Sequence, residues 1–108
     1  MDLHLGAPFS AYFDAQNAHD VDGMLACFSE EARVRDEGRD MLGRVAIRAW
    51  MDETTRKYRP IIRPTSVAKE DERTTVTAQV SGTFPGSPTE LHYRFTTSGM
   101  KIARLEIN

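Results

Sequence analysis

Asp36 is the residue whose place in the sequence most clearly allows chemistry. Successive side chains of an extended strand point to opposite faces, so a strand that turns Val34 into a core turns Asp36 the same way. An inward carboxylate among apolar neighbours has a raised pKa, which a general base working near neutral pH requires. The sequence also allows a second interpretation, in which Asp36 caps the turn that Glu37 and Gly38 form and stays in water.

The other reactive residue types form no recognisable site. The three histidines, His4, His19 and His92, have no ligand spacing and no partner cysteines, so no metal site is predicted. His92 is expected on the polar, outer face of its strand. Cys27 is the one cysteine, which excludes an internal disulfide, and with no neighbouring base it is expected to be a small core residue. Motifs for a nucleophile elbow, a P-loop or a dinucleotide fold are absent, and no cofactor is predicted.

Length and composition restrict the classes of function. The chain has 108 residues, 40% hydrophobic and 28% charged, with a net charge of -2, which is typical of one globular domain, residues 1–108. A nucleic-acid-binding surface needs a basic excess, and the nearest cluster, residues 56–63, is interpreted as a solvated helix end. No window approaches a membrane span and residues 1–10 have no basic, apolar leader. The protein is therefore expected to be cytoplasmic and to bind neither nucleic acid nor membranes.

Three helices are predicted before the sheet. The first runs from Pro8 to about His19 and turns these residues to the core: Phe9, Tyr12, Phe13 and Gln16. Asp20 is expected to cap the second, whose apolar positions are Val21, Met24, Leu25 and Phe28. The third begins after Gly43 and ends before Pro60, which favours extended geometry at Arg59. Its buried stripe is Ile47, Trp50, Met51, Thr54 and Tyr58.

After Pro60 the hydrophobic period changes from 3.6 to 2, which predicts strands. A long hairpin is expected from residues 75–84 and 90–96, joined through a turn at 85–88, with Gly82 as a bending point. Further strands are expected within 61–69 and 101–107, and a short strand and turn between the second and third helices. Helices gathered before a mostly antiparallel sheet predict an α+β layer, with the helices covering one face of a strongly bent sheet.

Three segments resemble a known superfamily. They are HDVDGMLACFSEEARVRD at 19–36, GRVAIRAW at 43–50 and GMKIARLEI at 99–107. Together they are similar to the SnoaL-like branch of the nuclear transport factor 2-like superfamily, over nearly the whole chain. The resemblance implies a cone of three helices on a strongly curved sheet with an apolar pocket inside. Members include polyketide cyclases, ketosteroid isomerases, dehydratases, epoxide hydrolases and binding or transport proteins, so the fold alone names no reaction.

A closer comparison with ketosteroid isomerase implies roles for two residues. From Tyr12 to Asp36 the sequences look alignable without a gap, which places Tyr12 at the oxyanion-hole tyrosine and Asp36 at the proton-shuttling carboxylate. The second oxyanion donor, a protonated acid, corresponds to Leu91, and two supporting tyrosines correspond to Phe28 and Met51. Each such donor contributes about 3 kcal/mol of transition-state stabilisation, so steroid isomerase activity is not expected.

Two functions remain open on these residues. In the first, a pocket binds a small apolar molecule, with Asp36 as general acid/base and Tyr12 as hydrogen-bond donor in cofactor-free isomerisation, aldol-type cyclisation or dehydration. In the second, the chain is a non-catalytic ligand-binding or dimerisation domain in which Asp36 caps a turn. The expected pocket wall is Phe13, Phe28, Trp50, Met51, Val80, Phe84, Leu91 and Tyr93.

The outer face of the sheet is predicted to form a homodimer. It presents a broad polar surface with little charge repulsion, and interfaces are often no more apolar than ordinary surface. The residues expected on it are Thr75, Thr77, Gln79, Ser81, His92 and Arg94.

Overall fold

The computed structural model describes residues 5–108, so His4 lies outside the described residues. Three helices and six strands are seen in this range. In chain order they are α1 (Phe9–Asn17), α2 (Val21–Leu25), β1 (Phe28–Asp36), β2 (Arg39–Leu42), α3 (Gly43–Tyr58), β3 (Ile61–Glu70), β4 (Arg73–Ser81), β5 (Thr89–Ser98) and β6 (Lys101–Ile107). The α+β architecture is the one that the sequence predicts.

The second helix is shorter than its apolar pattern indicates. Asp20 caps it as predicted, since its Oδ1 accepts from the amide of Gly23 at 3.0 Å. However, α2 ends at Leu25, and the expectation that Phe28 continues it is wrong. The carbonyl of Cys27 accepts from the amide of Ile102 at 2.8 Å, and Phe28 pairs with Ile102 in the sheet. The local pattern predicts one more helical turn, as far as Phe28, and pairing with the sheet overrides it.

Strand β1 ends in a tight hairpin that fixes Asp36. Asp36 is the last paired residue, opposite Arg39 of β2 and beside Ile107 of the parallel strand β6. Glu37 and Gly38 have φ values of 54° and 75°, the positive values that a two-residue type I′ turn requires at both positions. Asp36 thus belongs to the sheet.

The end of α3 shapes one side of the molecule. The expectation of extended geometry at Arg59 is wrong: its φ and ψ are 47° and 55°, a left-handed C-cap whose amide donates to the Thr55 carbonyl. The carbonyl of Tyr58, the last residue of α3, accepts a hydrogen bond from the amide of Thr83 at 2.8 Å. Capping the helix in this way outweighs the preference imposed by the following proline.

The six strands form one sheet in the order β2-β1-β6-β5-β4-β3. All neighbouring pairs are antiparallel except β1 and β6. Strand β4 ends at Ser81, so Gly82 lies just beyond the strand and not at a bend within it. A Cβ added to Gly82 would lie 2.5 Å from the Tyr58 carbonyl oxygen, which explains the need for glycine there.

The core lies between the helices and one face of the sheet. Alternate residues of β4 are buried, and α1 and α3 contribute the opposing apolar side chains. The largest fully buried side chains are Tyr12, Phe28, Phe95, Met24, Ile47, Met51, Ile102, Leu105, Val34 and Val76. Within residues 5–108, no helix has both the length and the apolar character needed to cross a membrane.

Candidate functional site

A cavity of about 520 Å³ opens between α1, α3 and the inner face of the sheet. Its wall is mostly apolar and aromatic, with a few polar groups contributed by Gln16, Asp36, Glu37, Thr54 and Thr89. Lysine, arginine and histidine are absent from the lining residues in the described part of the chain. This composition is typical of a site for a compact, largely apolar molecule that a small number of polar groups orient.

Asp36 is a polar wall residue of this cavity. Its side chain is half-buried, and Oδ2 accepts a hydrogen bond from Nε1 of Trp50 at 3.0 Å. Desolvation by burial raises the pKa of the carboxyl group, and the Trp50 bond opposes this rise only in part. The nearby charge of Glu37 raises the pKa further, while Arg39 lowers it. The carboxylate is thus oriented by one oxygen and made more basic than an aspartate in water.

Tyr12 is on the buried face of α1 and contributes to the cavity wall. Its ring is fully buried, and its hydroxyl donates to Oε1 of Gln16, one turn along the helix, at 3.4 Å. Burial raises the pKa of Tyr12 well above its usual range, with the charges of Tyr93 and Asp36 acting in the same direction. Tyr12 therefore stays a neutral donor, and its proton is directed to Gln16.

The remaining predicted wall residues divide into two groups. Trp50, Val80, Phe84, Leu91 and Tyr93 line the cavity, whereas Phe13, Phe28 and Met51 are buried and are not among its lining residues. Two of the latter support lining or polar residues from behind. The Phe13 ring lies edge-on to Tyr93 with centroids 5.4 Å apart, and that of Phe28 lies edge-on to Tyr12 at 5.7 Å.

Sequence reasoning missed several residues that line the cavity. On α3, Thr54 and Tyr58 follow the predicted wall residue Trp50 at intervals of four, and both reach the wall. Gln16 likewise follows Tyr12 by four on α1. This spacing was the available signal, because residues four apart share a helix face. Pro60, Ile62, Thr89 and Ile107 carry no comparable signal, since their positions depend on how the strands meet the helices.

The loop between β4 and β5 forms part of the cavity wall. Phe84, Pro85 and Gly86 contribute to the lining, and the Phe84 ring meets that of Tyr58 edge-on at 5.8 Å. The amide of Gly82 donates to Oγ of Ser87 at 3.0 Å, which closes the loop on itself. Phe84 thus reaches the site from a loop and not from the strand predicted for it.

His19, His92 and Cys27 are not among the residues that line the cavity. His92 is on the face of β5 opposite to Tyr93, and its Nδ1 is 3.1 Å from Oγ1 of Thr77 on β4. Nε2 of His19 is 3.1 Å from the Pro60 carbonyl oxygen, and Cys27 is a buried thiol whose pKa burial raises. Across residues 5–108, no three His, Cys, Asp or Glu side chains are grouped to hold a metal ion.

Comparison with known proteins agrees with this architecture. Residues 9–106 match the family model of the SnoaL-like domain. A solved protein from Sinorhizobium meliloti, whose name assigns it provisionally to the polyketide cyclases, is 38% identical with a TM-score of 0.90, and the match covers 93% of this chain and 92% of that one. A similarly named protein from Silicibacter sp. is 25% identical with a TM-score of 0.79, covering 93% and 84%.

A third solved protein shows the likeness of fold alone. It comes from Catenulispora acidiphila, is described as having a ketosteroid isomerase-like fold, and is 20% identical with a TM-score of 0.82, covering 95% of this chain and 86% of that one. No curated protein matches the chain. The predicted superfamily and fold class are confirmed.

Proposed function

We propose that this chain, which belongs to the SnoaL-like family, binds a small, largely apolar carbonyl compound and moves a proton on it without a cofactor. Asp36 is the general acid/base of this proposal. The observation that carries it is the half-buried Asp36 carboxylate in the wall of an apolar cavity, with one oxygen held by Trp50. A tethered carboxylate whose pKa is raised by burial is a stronger base than an aspartate in water, which is the direction that general base catalysis requires.

The proposed step balances without any further reactant. The Asp36 carboxylate takes a proton from the carbon next to the carbonyl group, and the electron pair of the broken C–H bond moves to form an enolate. Returning the proton to another carbon gives isomerisation. Attack of the enolate on a second carbonyl carbon gives an aldol-type ring closure, in which protonated Asp36 returns its proton to the new alkoxide. Loss of a β-hydroxyl group gives dehydration, in which the proton leaves with the hydroxide as water. The name of the 38% identical Sinorhizobium meliloti relative favours ring closure among these.

A non-catalytic ligand-binding function is the second candidate. One observation favours it: Leu91 lines the cavity at the position that corresponds to the second acid of ketosteroid isomerase, so no additional protonated carboxyl group is available there. Binding in the same cavity would then need Asp36 only for orientation.

Exchange of α-protons separates these two functions. 2-Tetralone, a bicyclic ketone with an acidic methylene group, is incubated in D₂O with the protein, and loss of its methylene signal is followed by ¹H NMR. General base catalysis contributes about 10²–10⁴-fold, so Asp36→Asn is expected to slow the protein-dependent exchange at least about 100-fold. Asp40→Asn is the matched control, because Asp40 is exposed and paired with Arg35 on the hairpin.

Two results would count against catalysis by Asp36. One is exchange in the wild-type protein no faster than in buffer, and the other is exchange that survives in Asp36→Asn. The first result, combined with binding of the ketone, would favour the ligand-binding function, whereas the second would assign the exchange to a base other than Asp36.

A further inference from the structure

The amide of Gln16 is a polar group of the cavity wall that the sequence did not single out. Its side chain is 6% exposed and lines the cavity, one helical turn from Tyr12. A glutamine amide has one acceptor oxygen and one NH₂ group with two donors. The Tyr12 hydroxyl engages the oxygen, Oε1, at 3.4 Å. In this contact Oε1 is the acceptor, which leaves the Nε2 end of the amide to donate.

We infer that Nε2 of Gln16 is the donor that binds the carbonyl oxygen of the ligand, and that Tyr12 is a positioning residue that sets the orientation of this amide. The inference rests on the proposed function, because it names the group that holds the carbonyl of the same substrate. When Asp36 removes a proton, negative charge collects on this oxygen. A fixed N–H at that point stabilises the charge without moving another proton.

Three other donors near the cavity are engaged within the protein. The Tyr12 hydroxyl has one proton, which it gives to Gln16. Nε1 of Trp50 donates to Asp36, and Oγ1 of Thr54 donates to the Trp50 carbonyl at 3.0 Å. The hydroxyls of Tyr58, Thr89 and Tyr93 also line the cavity and are the competing donors, and of these three residues only Tyr93 is buried.

Binding of a matched pair of probes tests the inference. 2-Tetralone carries a carbonyl group, and tetralin has the same carbon skeleton without the oxygen. Wild-type protein is expected to bind 2-tetralone more tightly than tetralin. Gln16→Leu is expected to weaken the binding of 2-tetralone about five- to ten-fold, the value of one neutral hydrogen bond. The affinity for tetralin is expected to stay unchanged or to rise slightly. Gln79→Leu, a half-buried glutamine on β4 outside the cavity lining, is the matched control.

The carbonyl stretch of bound, ¹³C=O-labelled 2-tetralone tests the two roles separately. In wild-type protein the hydrogen bond is expected to lower the stretching frequency, and Gln16→Leu is expected to abolish this change. Tyr12→Phe keeps the Gln16 donor but no longer holds its orientation. The carbonyl band in this variant is expected to be broadened and to lie between the wild-type frequency and the Gln16→Leu frequency. A purely structural role of Tyr12 would leave the band of the bound ketone as in wild type.

A measurement on the unsubstituted protein does not depend on the folding of any variant. The side-chain NH₂ resonances of Gln16 in a ¹H–¹⁵N spectrum are expected to shift with 2-tetralone and not with tetralin. The inference is overturned if they do not shift, if wild-type protein does not prefer the ketone, or if Tyr93→Phe abolishes the preference while Gln16→Leu keeps it. Loss of exchange with this preference intact contradicts only the proposed catalysis, so the two failures are distinguishable.

Discussion

Removal of the indole N–H of Trp50 is expected to weaken the fold by an amount that depends on the ionisation of Asp36. Nε1 of Trp50 donates to Oδ2 of Asp36 at 3.0 Å, and the Trp50 side chain is 7% exposed. A hydrogen bond to a charged group contributes about 1.5–3 kcal/mol, and a neutral one about 0.5–1.5 kcal/mol. Trp50→Phe is therefore expected to lose about 1.5–3 kcal/mol through this bond at neutral pH, in addition to the packing lost with the smaller ring.

A double-mutant cycle isolates the bond from the packing. The cycle combines Trp50→Phe with Asp36→Ala, since Asp36→Asn would keep an acceptor oxygen. Trp50 is the one tryptophan of the chain, so urea unfolding is followed by far-UV circular dichroism in place of fluorescence. The coupling free energy between the two positions is expected to be about 1.5–3 kcal/mol at pH 7.

The stability that Asp36 contributes depends on pH with a definite sign. Burial raises the pKa of Asp36 in the native state above its unfolded value of about 3.9, although the Trp50 bond lowers it in part. The native state thus holds the proton more tightly, and the stability that Asp36 contributes is present below about pH 3.9 and is lost as the pH rises through the native pKa. Trp50→Phe is expected to raise this pKa further, and Asp36→Asn to remove this part of the dependence.

Two results would refute this account. The first is a coupling free energy at pH 7 below about 0.5 kcal/mol, the lower limit for even a neutral hydrogen bond. The second is a wild-type Trp50 indole resonance that does not follow the titration of Asp36, or follows it at the pKa of an aspartate in water. Either would mean that the carboxylate is solvated and that the cavity does not tune it.

Three other substitutions test the contacts around the cavity and the outer face of the sheet. Asn17→Ala removes two bonds that join α1 to the backbone of Ile62, at 2.7 and 2.8 Å, and is expected to cost about 1–3 kcal/mol in urea unfolding. Gly82→Ala places a Cβ 2.5 Å from the Tyr58 carbonyl oxygen. The overpacking is expected to lower the free energy of unfolding by about 1–3 kcal/mol, which is measured as a lower thermal midpoint. We also propose a homodimer through the outer face, for which light scattering should give twice the chain mass. Gln79→Glu, opposite Glu90 in the β4–β5 register, adds like charge to this face and should reduce that mass to one chain, and a wild-type mass of one chain would contradict the proposal.

Local patterns were sufficient for most of the elements but not for their ends. The helical spacing of the apolar residues in α3 and the alternation along β4 predicted the correct type of element, because each periodicity matches one backbone geometry. The α2 boundary failed because Phe28 fits a helical stripe as well as a strand. Its pairing with Ile102, distant along the chain, decides between them.

The same difference separates the residues of the candidate site. The alternation of side chains along a strand predicts that Asp36 lies on the same side as Val34, and this rule needs only the neighbouring residues. The wall contributed by Pro60, Ile62 and Ile107 has no local signature, because those residues reach the cavity through strand pairing and the end of α3.

The sequence by itself determined the α+β class and the family resemblance, and it favoured the inward direction of Asp36 over a turn cap, because each depends on periodicity or on a run of residues along the chain. Only the tertiary structure decided that Trp50 holds Asp36, that Tyr12 gives its proton to Gln16, and that Phe28 supports the site from behind. Hydrogen-bond partners and cavity walls depend on distances between side chains from different elements. Those distances are set when the helices pack on the sheet, at a density that leaves few unfilled spaces.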